Sequence, residues 1–287
     1  MRQLFKIPRQ LEFMMIVSSN SIAKYVSQFK NITIFVDLER LGKQERQGHL
    51  DTVKSSLSFG DIIGLREAAP NSNMVVRVNP LNVNSEKEID LAIKSGANSI
   101  MLPMFHSLGE VDDFIGIIDG RVKAVPLFET VKAIEALPEI ISKINLEQLH
   151  IGLNDLHLDQ GKDFLFEPLS DGFLEEACKA LRSSNVKFGI GGIAKAGEGL
   201  LSPEFILGEH VRLGSSVAIL SRAFHKNAET VNQLTDSLDF GIELKKLENI
   251  YSDFQSIGES QLDENRLKTW QLIKAIAQKT NASKTLN

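Results

Sequence analysis

The sequence has little that would indicate a secreted, membrane-bound or nucleic-acid-binding protein. A single cysteine, Cys178, excludes both a disulfide framework and a zinc site built from cysteines. No apolar run approaches the roughly 18 residues of a membrane span, and the first residues lack the apolar core of a signal peptide. A net charge of −5 does not favour nucleic acid as a partner. We therefore expect a cytoplasmic protein that binds neither nucleic acid nor membrane.

The bulk composition is that of an ordinary globular protein with a sizeable core. Apolar residues make up 43% of the 287 residues and charged residues 24%. This length suits one α/β barrel of about 250 residues with an appendage. We accordingly divide the chain into a catalytic barrel domain, 1–225, and a C-terminal helical extension, 226–287.

Short β-branched runs alternate with longer amphipathic segments, which is typical of repeated βα units around a parallel sheet. Strands are predicted at residues 13–18, 32–39, 74–80, 98–104, 122–128, 149–155, 187–193 and 211–217. Helices are predicted at residues 86–96, 108–118, 130–144 and 170–184. Eight strands with intervening helices predict an α/β fold of the (β/α)8 TIM-barrel type. A doubly wound open sheet would give the same alternation.

The C-terminal extension is predicted to be helical, with no further strand after about residue 222. One amphipathic helix is expected over 229–258 and a second over 262–280. The second carries an apolar stripe of Trp270, Leu272, Ile273 and Ile276. This stripe packs either on the barrel of its own chain or on a neighbouring subunit. We expect a homo-oligomer, either a trimer or a hexamer.

Two acidic residues, Glu129 in VPLFET and Asp155 in IGLNDLH, each follow a short apolar run. A buried carboxylate without a partner loses several kcal/mol of solvation, so it is usually paired, protonated or metal-bound. If the sheet closes into a barrel, acids from successive strands converge, and a hard divalent cation with oxygen ligands would suit them. The alternative is that each acid caps the following helix or pairs with a nearby lysine or arginine.

Further polar or special residues follow the other predicted strands. They are Asp37, Glu39, Arg77, Asn79, Pro103, Asn154, Gly191 and Gly192. Arg77 could hold a substrate carboxylate or a developing enolate in bidentate fashion, while the cation chelates adjacent oxygens. Such a pairing suits reactions in which charge builds on an oxygen next to the metal. Alternatively, Arg77 forms a salt bridge inside the barrel, to Glu39 or Glu129.

Five stretches occur in the order found in a known group of barrels: FVDLERLGKQERQG, VRVNP, GANSIMLPM, LFET with AIEALPEI, and IGLNDLHLDQG. Over residues 32–165 the chain resembles the HpcH/HpaI aldolase and citrate lyase beta-subunit superfamily, a branch of the phosphoenolpyruvate/pyruvate barrels. The resemblance implies that Glu129 and Asp155 bind Mg²⁺ or Mn²⁺. It also implies that Arg77 holds a 2-oxo acid substrate and acts in catalysis. Asn154 and Pro103, at the ends of predicted strands, are further candidate substrate-binding residues.

The expected reaction is that of a divalent-metal-dependent carbon–carbon lyase or aldolase. It would pass through a pyruvate-type enolate, on a 2-oxo acid or a related hydroxy acid.

Departures from the family pattern leave the proton carrier open. Arg40 stands where the aldolase branch usually has a histidine, and Met104 where the lyases acting on coenzyme A thioesters usually have a lysine. Glu39, His49 and His157 are therefore the remaining candidates for catalysis beside Arg77. An imidazole has a suitable ordinary pKa for a base, although each histidine has a purely structural interpretation too.

A second interpretation of the function comes from glycines near the end of the predicted barrel domain. Gly191 and Gly192 follow the predicted seventh strand, and Gly214, Ser215 and Ser216 lie at the predicted eighth. Some barrels hold a phosphate with backbone N–H groups in this way. An enzyme acting on a phosphosugar-like substrate is thus one alternative, unless the glycines only let a tight loop fit. A barrel that binds ligand without catalysis is another, because the usual histidine is missing.

Overall fold

The computed structural model describes residues 10–42 and 57–285. Eight parallel strands close into a barrel in chain order, so the predicted (β/α)8 TIM barrel is confirmed and the open sheet is wrong. The strands are β1 Glu12–Ile16, β2 Ile32–Asp37, β3 Met74–Arg77, β4 Ser99–Leu102, β5 Lys123–Phe128, β6 Gln148–Ile151, β7 Lys187–Ile193 and β8 Val217–Leu220. No helix in these described ranges is long and apolar enough to cross a membrane.

Helices surround the barrel and extend past its last strand. In the described ranges they are α1 Asn20–Val26, α2 Phe59–Ala68, α3 Ser85–Lys94, α4 Leu108–Ile118, α5 Val131–Lys143, α6 Leu153–Asp159, α7 Glu175–Ser184, α8 Pro203–Leu213, α9 Val231–Ser237, α10 Phe240–Ser256 and α11 Glu259–Thr285. A short 3₁₀ helix, Glu167–Leu169, precedes α7. Cys178 is buried on α7, and burial raises the pKa of its thiol to about 12.

The eighth strand lies later in the chain than predicted. Residues 211–213 form the end of α8, and Gly214 closes that helix in the left-handed conformation with φ of +87°. The strand itself is Val217–Leu220. Both segments are short and apolar, and periodicity alone does not distinguish a buried helix end from a buried strand at this length.

Alternation along the strands places the polar residues of the barrel mouth on its inner face. Phe35, Val75 and Leu127 belong to the apolar cluster inside the barrel. Side chains two residues apart on a strand point to the same side. Two residues beyond these come Asp37, Arg77 and Glu129. The inner faces of β2, β3 and β5 therefore change from apolar to charged at the carboxyl ends of the strands.

The C-terminal extension contains three helices rather than the two predicted. The segment 229–258 is interrupted between α9 and α10, where the Asp239 side chain accepts a hydrogen bond from the N–H of Ile242 at 3.0 Å and caps α10. Both α10 and α11 pack against α8 of the barrel. In the apolar stripe of α11, Ile273 is fully buried and Leu272 is 39% exposed. Part of the stripe therefore packs on the protein's own barrel.

Candidate active site

A cavity of about 500 Å³ lies at the carboxyl end of the barrel. Its lining includes Asp37, Arg77, Glu129 and Asp155, which come from four different βα units. The carboxyl end of the strands is where TIM barrels carry their active sites. The cavity is therefore the candidate active site.

Arg77 is held by acids from the neighbouring strand. Its Nε and Nη2 atoms donate to the two carboxylate oxygens of Asp37 at 2.9 and 2.8 Å, and Nη2 lies 3.4 Å from Glu39. Burial acts to lower the pKa of the guanidinium, but the charges of Asp37 and Glu39 outweigh it and raise the pKa above its ordinary value. The interior salt bridge that the sequence left open thus exists, mainly with Asp37. These bonds leave the Nη1 atom of Arg77 unengaged by Asp37.

Glu129 is a buried carboxylate beside another carboxylate. It is 3% exposed, and its Oε1 accepts a hydrogen bond from the N–H of Met104 at 3.2 Å. Burial raises the pKa of Glu129 well above its ordinary value, and the charge of Asp155 raises it further. The nearby Arg77 acts in the opposite direction without cancelling the rise. The fold therefore keeps an acid where its ionised form is costly.

Asp155 reaches the site from a helix rather than from a strand end. Strand β6 ends at Ile151, and Asp155 lies in the first turn of α6, where it is 5% exposed. Helix N-termini favour negative charge. Gly152 starts this turn, and a Cβ there would lie 2.9 Å from Oε2 of Glu129. The missing side chain at Gly152 lets the two βα units come close enough for Glu129 to sit over this turn.

A divalent cation fits the chemistry of this pair. No group of three or more His, Cys, Asp or Glu side chains in the described ranges is arranged to hold a metal ion. Magnesium, however, is commonly bound through one or two carboxylates, with water or substrate oxygens completing its coordination. Glu129 and Asp155 supply two hard oxygen donors, and a cation beside them would offset the cost of ionising Glu129.

The histidines predicted as proton carriers are not found in the described lining of the cavity. His49 lies outside the described residues. His157 is on α6, and its Nδ1 is 3.3 Å from the carbonyl oxygen of Leu153, within its own helix; it does not line the cavity. Burial lowers its pKa. Arg40 is exposed and donates to the carbonyl of Leu57 at 2.5 Å, so it too is outside the cavity lining.

His150, which the sequence analysis did not single out, is the histidine of the cavity lining among the described residues. Its Nε2 lies 3.1 Å from the carbonyl oxygen of Gly191, which is hydrogen-bonding distance. Burial lowers its pKa to about 4, and the positive charge of Arg77 adds to this effect. The imidazole is therefore neutral at physiological pH. Its position two residues before Gly152 on the inner face of β6 was the signal that would have found it.

The glycines and serines of the predicted phosphate site do not lie together. Gly191 and Gly192 lie within β7 and line the cavity. Gly191 has φ of +54°, and a Cβ there would lie 2.8 Å from Leu153. Ser215 and Ser216 precede β8, at the amino end of the strands, and both hydrogen-bond to the carbonyl of Phe188 near the start of β7. The two halves of the predicted grip are thus at opposite ends of the barrel.

Of the remaining predicted residues, some line the cavity and others lie outside its lining. Asn154 lines the cavity, whereas Pro103 is buried outside its lining. Asn79 is a structural residue, because its Oδ1 accepts the N–H of Arg40 at 2.8 Å and its Nδ2 donates to Glu88 at 3.0 Å. Asp37 was noted at a strand end but not assigned a role. It pairs with Arg77 across the β2–β3 register.

We compared the sequence and the fold with those of known proteins. No family model matches the sequence, and no curated protein matches it. Solved structures do match the fold. A HpcH/HpaI aldolase/citrate lyase family protein from Burkholderia cenocepacia J2315 is 13% identical with a TM-score of 0.58, covering 74% of this chain and 88% of that chain. A HpcH/HpaI aldolase from Desulfitobacterium hafniense DCB-2 is 15% identical with a TM-score of 0.58, covering 83% and 93%.

The chain shares the fold of these proteins. A citrate lyase from Burkholderia xenovorans LB400 also matches, at 11% identity and a TM-score of 0.59, and covers 96% of this chain and 94% of that chain. The resemblance that the ordered motifs indicated is therefore confirmed at the level of the fold. Identities this low carry no residue roles with them, so the chemistry has to be argued from the site itself.

Proposed function

We propose that the protein is a carbon–carbon lyase or aldolase that acts through a pyruvate-type enolate on a 2-oxo acid or a related hydroxy acid. The observation that carries this proposal is Glu129, a buried carboxylate placed beside Asp155 and near Arg77 in one cavity. The structural neighbours named as aldolases and citrate lyases support the same class of reaction.

In this proposal Glu129 and Asp155 hold Mg²⁺ or Mn²⁺. The bound cation would supply positive charge next to the oxygen on which the enolate charge develops. Arg77 would use its Nη1 atom, which Asp37 does not engage, to hold the substrate carboxylate or the enolate oxygen. Asp37 keeps the guanidinium in place. Glu129 and Asp155 are largely buried, and burial strengthens electrostatic interactions.

The second candidate is a ligand-binding barrel without catalysis. It is favoured by the position of Arg40 outside the cavity and by the low pKa of His150, about 4, which makes that imidazole a weak base. The phosphosugar alternative keeps only part of its support, because Gly191 and Gly192 line the cavity whereas Ser215 and Ser216 lie at the opposite end of the barrel.

Exchange of the pyruvate methyl protons for deuterium tests the first candidate, since it requires no knowledge of the substrate's other half. We expect the protein to exchange these protons, followed by NMR in heavy water, only when Mg²⁺ or Mn²⁺ is present. Glu129→Gln should slow the exchange by at least about 100-fold, as the loss of other electrostatic stabilisers does. The matched control is Glu176→Gln, because Glu176 is exposed on α7; this variant should exchange the protons as wild type does.

Two outcomes would reject parts of this account. Exchange of equal rate in Glu129→Gln would remove Glu129 from the reaction. Pyruvate and metal binding without any exchange would favour the non-catalytic barrel.

A further inference from the structure

The candidate active site has two chemically different sides. The charged side consists of Asp37, Arg77, Glu129 and Asp155. The other side, here called the apolar wall, is formed by Phe164, Leu165, Phe166, Leu200 and Leu201, from the loops after α6 and after β7. Beyond the charged side, Arg222 is the one charged residue among the described residues of the lining. A ligand that fills this cavity therefore meets charged groups from the strand ends and the first turn of α6, and apolar surface from the two loops.

The first half of the apolar wall is held in place by two partly buried hydrogen bonds. The Oε2 atom of Glu167 accepts hydrogen bonds from the N–H groups of Asp163 and Phe164, both at 2.8 Å. The rings of Phe164 and Phe166 pack edge to face with their centroids 5.5 Å apart. These contacts fix the shape of this half of the apolar wall.

The second half of the apolar wall leaves a large apolar side chain in water. Gly199 has φ of +93°, and the turn it makes presents Leu200 at the cavity mouth with 77% of its surface exposed. The next residue, Leu201, is buried. An exposed leucine gains from a ligand only when the ligand covers it with apolar surface. A charged group placed there would lose solvation without finding a partner on the wall.

We propose that the part of the substrate remote from the carboxylate is an uncharged, apolar tail, so that the aldehyde joined to or released from pyruvate carries an alkyl or aryl group. This inference rests on the proposed function. In the condensing direction a proton leaves C3 of pyruvate and C3 bonds to the aldehyde carbon. The carbonyl π pair moves to the aldehyde oxygen, which takes up a proton to become a hydroxyl. The charged side holds the pyruvate half, and the apolar wall covers the tail.

A pair of isosteric aldehydes tests the tail. The comparison is 4-methylpentanal against succinic semialdehyde, which differ by an isopropyl group in place of a carboxylate. With pyruvate and Mn²⁺, we expect kcat/KM to be at least about tenfold higher for 4-methylpentanal, the scale on which apolar pockets discriminate. Equal values, or a preference for succinic semialdehyde with Arg222 as its partner, would overturn the proposal. Methyl-proton exchange, measured in parallel without aldehyde, tests the proposed function by itself.

Binding gives a readout that does not need turnover. Calorimetry with Mn²⁺ would compare 5-methyl-2-oxohexanoate with 2-oxoglutarate, which differ by the same replacement. The apolar acid should bind at least about tenfold more tightly, and tighter binding of 2-oxoglutarate would overturn the proposal even if the protein has no catalytic activity.

A variant pair locates the preference on the apolar wall. Leu200→Lys should reduce the ratio of the two affinities several-fold, because the ammonium group replaces apolar contact at the cavity mouth. Leu267→Lys is the matched control, since Leu267 is 53% exposed on α11 and outside the cavity lining; it should leave the ratio unchanged. An unchanged ratio in Leu200→Lys would contradict the assignment of this loop to the tail.

Discussion

Two buried glutamates in different regions of the molecule show how differently the fold treats a buried carboxylate. Glu209, on α8 in the helical layer, receives hydrogen bonds from Arg212 at 3.0 and 2.6 Å, and Arg212 also binds Glu175. Glu129, at the barrel mouth, receives one backbone N–H and faces Asp155. The first is paired for stability. The second is placed beside a like charge, which is typical of a functional site.

The pKa directions of the two groups are the same, but their causes differ. Burial raises the pKa of Glu209, and its hydrogen bonds and charge attraction with Arg212 act against the rise. Burial also raises the pKa of Glu129, but there the charge of Asp155 adds to it. Hydrogen bonds and charge attraction from Arg212 therefore offset the cost of ionising Glu209, whereas Asp155 adds to the cost of ionising Glu129 and the charge of Arg77 offsets only part of it. The same substitution, glutamate to glutamine, should therefore have opposite effects on stability.

The largest expected effect is the loss of the Glu209 ion pair. Glu209→Gln leaves Arg212 with only part of its buried compensation, so we expect the free energy of unfolding to fall by about 3 kcal/mol. Urea denaturation measures this change. Glu176→Gln, at an exposed position on α7, should change stability by no more than about 0.5 kcal/mol. If Glu209→Gln lowers the free energy of unfolding by less than about 1 kcal/mol, the fold does not stabilise Glu209 differently from Glu129.

The next effect concerns two histidines, one in each region. Burial lowers the pKa of His150 at the mouth to about 4 and that of His210 on α8 to about 3. Both are neutral in the folded protein, whereas the unfolded chain binds protons below about pH 6.5. The folded state therefore keeps its full stability above about pH 6.5. Below that pH, the free energy of unfolding decreases as the pH falls toward the pKa values of the two histidines in the folded protein.

Denaturation at pH 6.5 and pH 5 checks this prediction. Each histidine should contribute a loss of about 2 kcal/mol over that interval. His210→Asn should reduce the total loss by its own share, and His150→Asn by the same amount. A pH-dependent change in stability that is the same in wild type, His210→Asn and His150→Asn would show that neither imidazole is kept neutral by burial.

The smallest effect is also the most diagnostic, because its sign is opposite to that of most mutations. In the absence of divalent cations at pH 7, Glu129→Gln should raise the free energy of unfolding by about 1 kcal/mol, since it removes a charge that burial and Asp155 both disfavour. Thermal or urea denaturation in EDTA measures it. Destabilisation comparable to that of Glu209→Gln would contradict the proposed contrast between the two regions.

The sequence predicted the barrel well because its strands are short β-branched runs at regular spacing. It failed at β8, where the apolar end of α8 resembles a strand and the intervening Gly214 closes a helix rather than a turn between strands. It also joined α9 and α10, since the cap at Asp239 interrupts a segment that is amphipathic throughout. Such errors arise where tertiary packing, rather than local pattern, decides the element.

The sequence predicted only part of the candidate site. Strand-end position found Glu129 and Arg77, and the structure brings them together with Asp155 around one cavity. It could not find the pairing of Arg77 with Asp37, which depends on the register between β2 and β3. The role of Phe164 and Phe166 likewise depends on a loop conformation that Glu167 fixes. Long-range register and loop geometry are not encoded in any local run of residues.

The central claim, that Glu129 and Asp155 form a divalent-cation site for a 2-oxo acid, is tested most directly by calorimetric titration of Mn²⁺ with oxalate. Wild type and Glu176→Gln should bind with the same affinity, and Glu129→Gln, though folded and no less stable, should show no measurable binding. Equal affinity in Glu129→Gln and wild type would contradict the account.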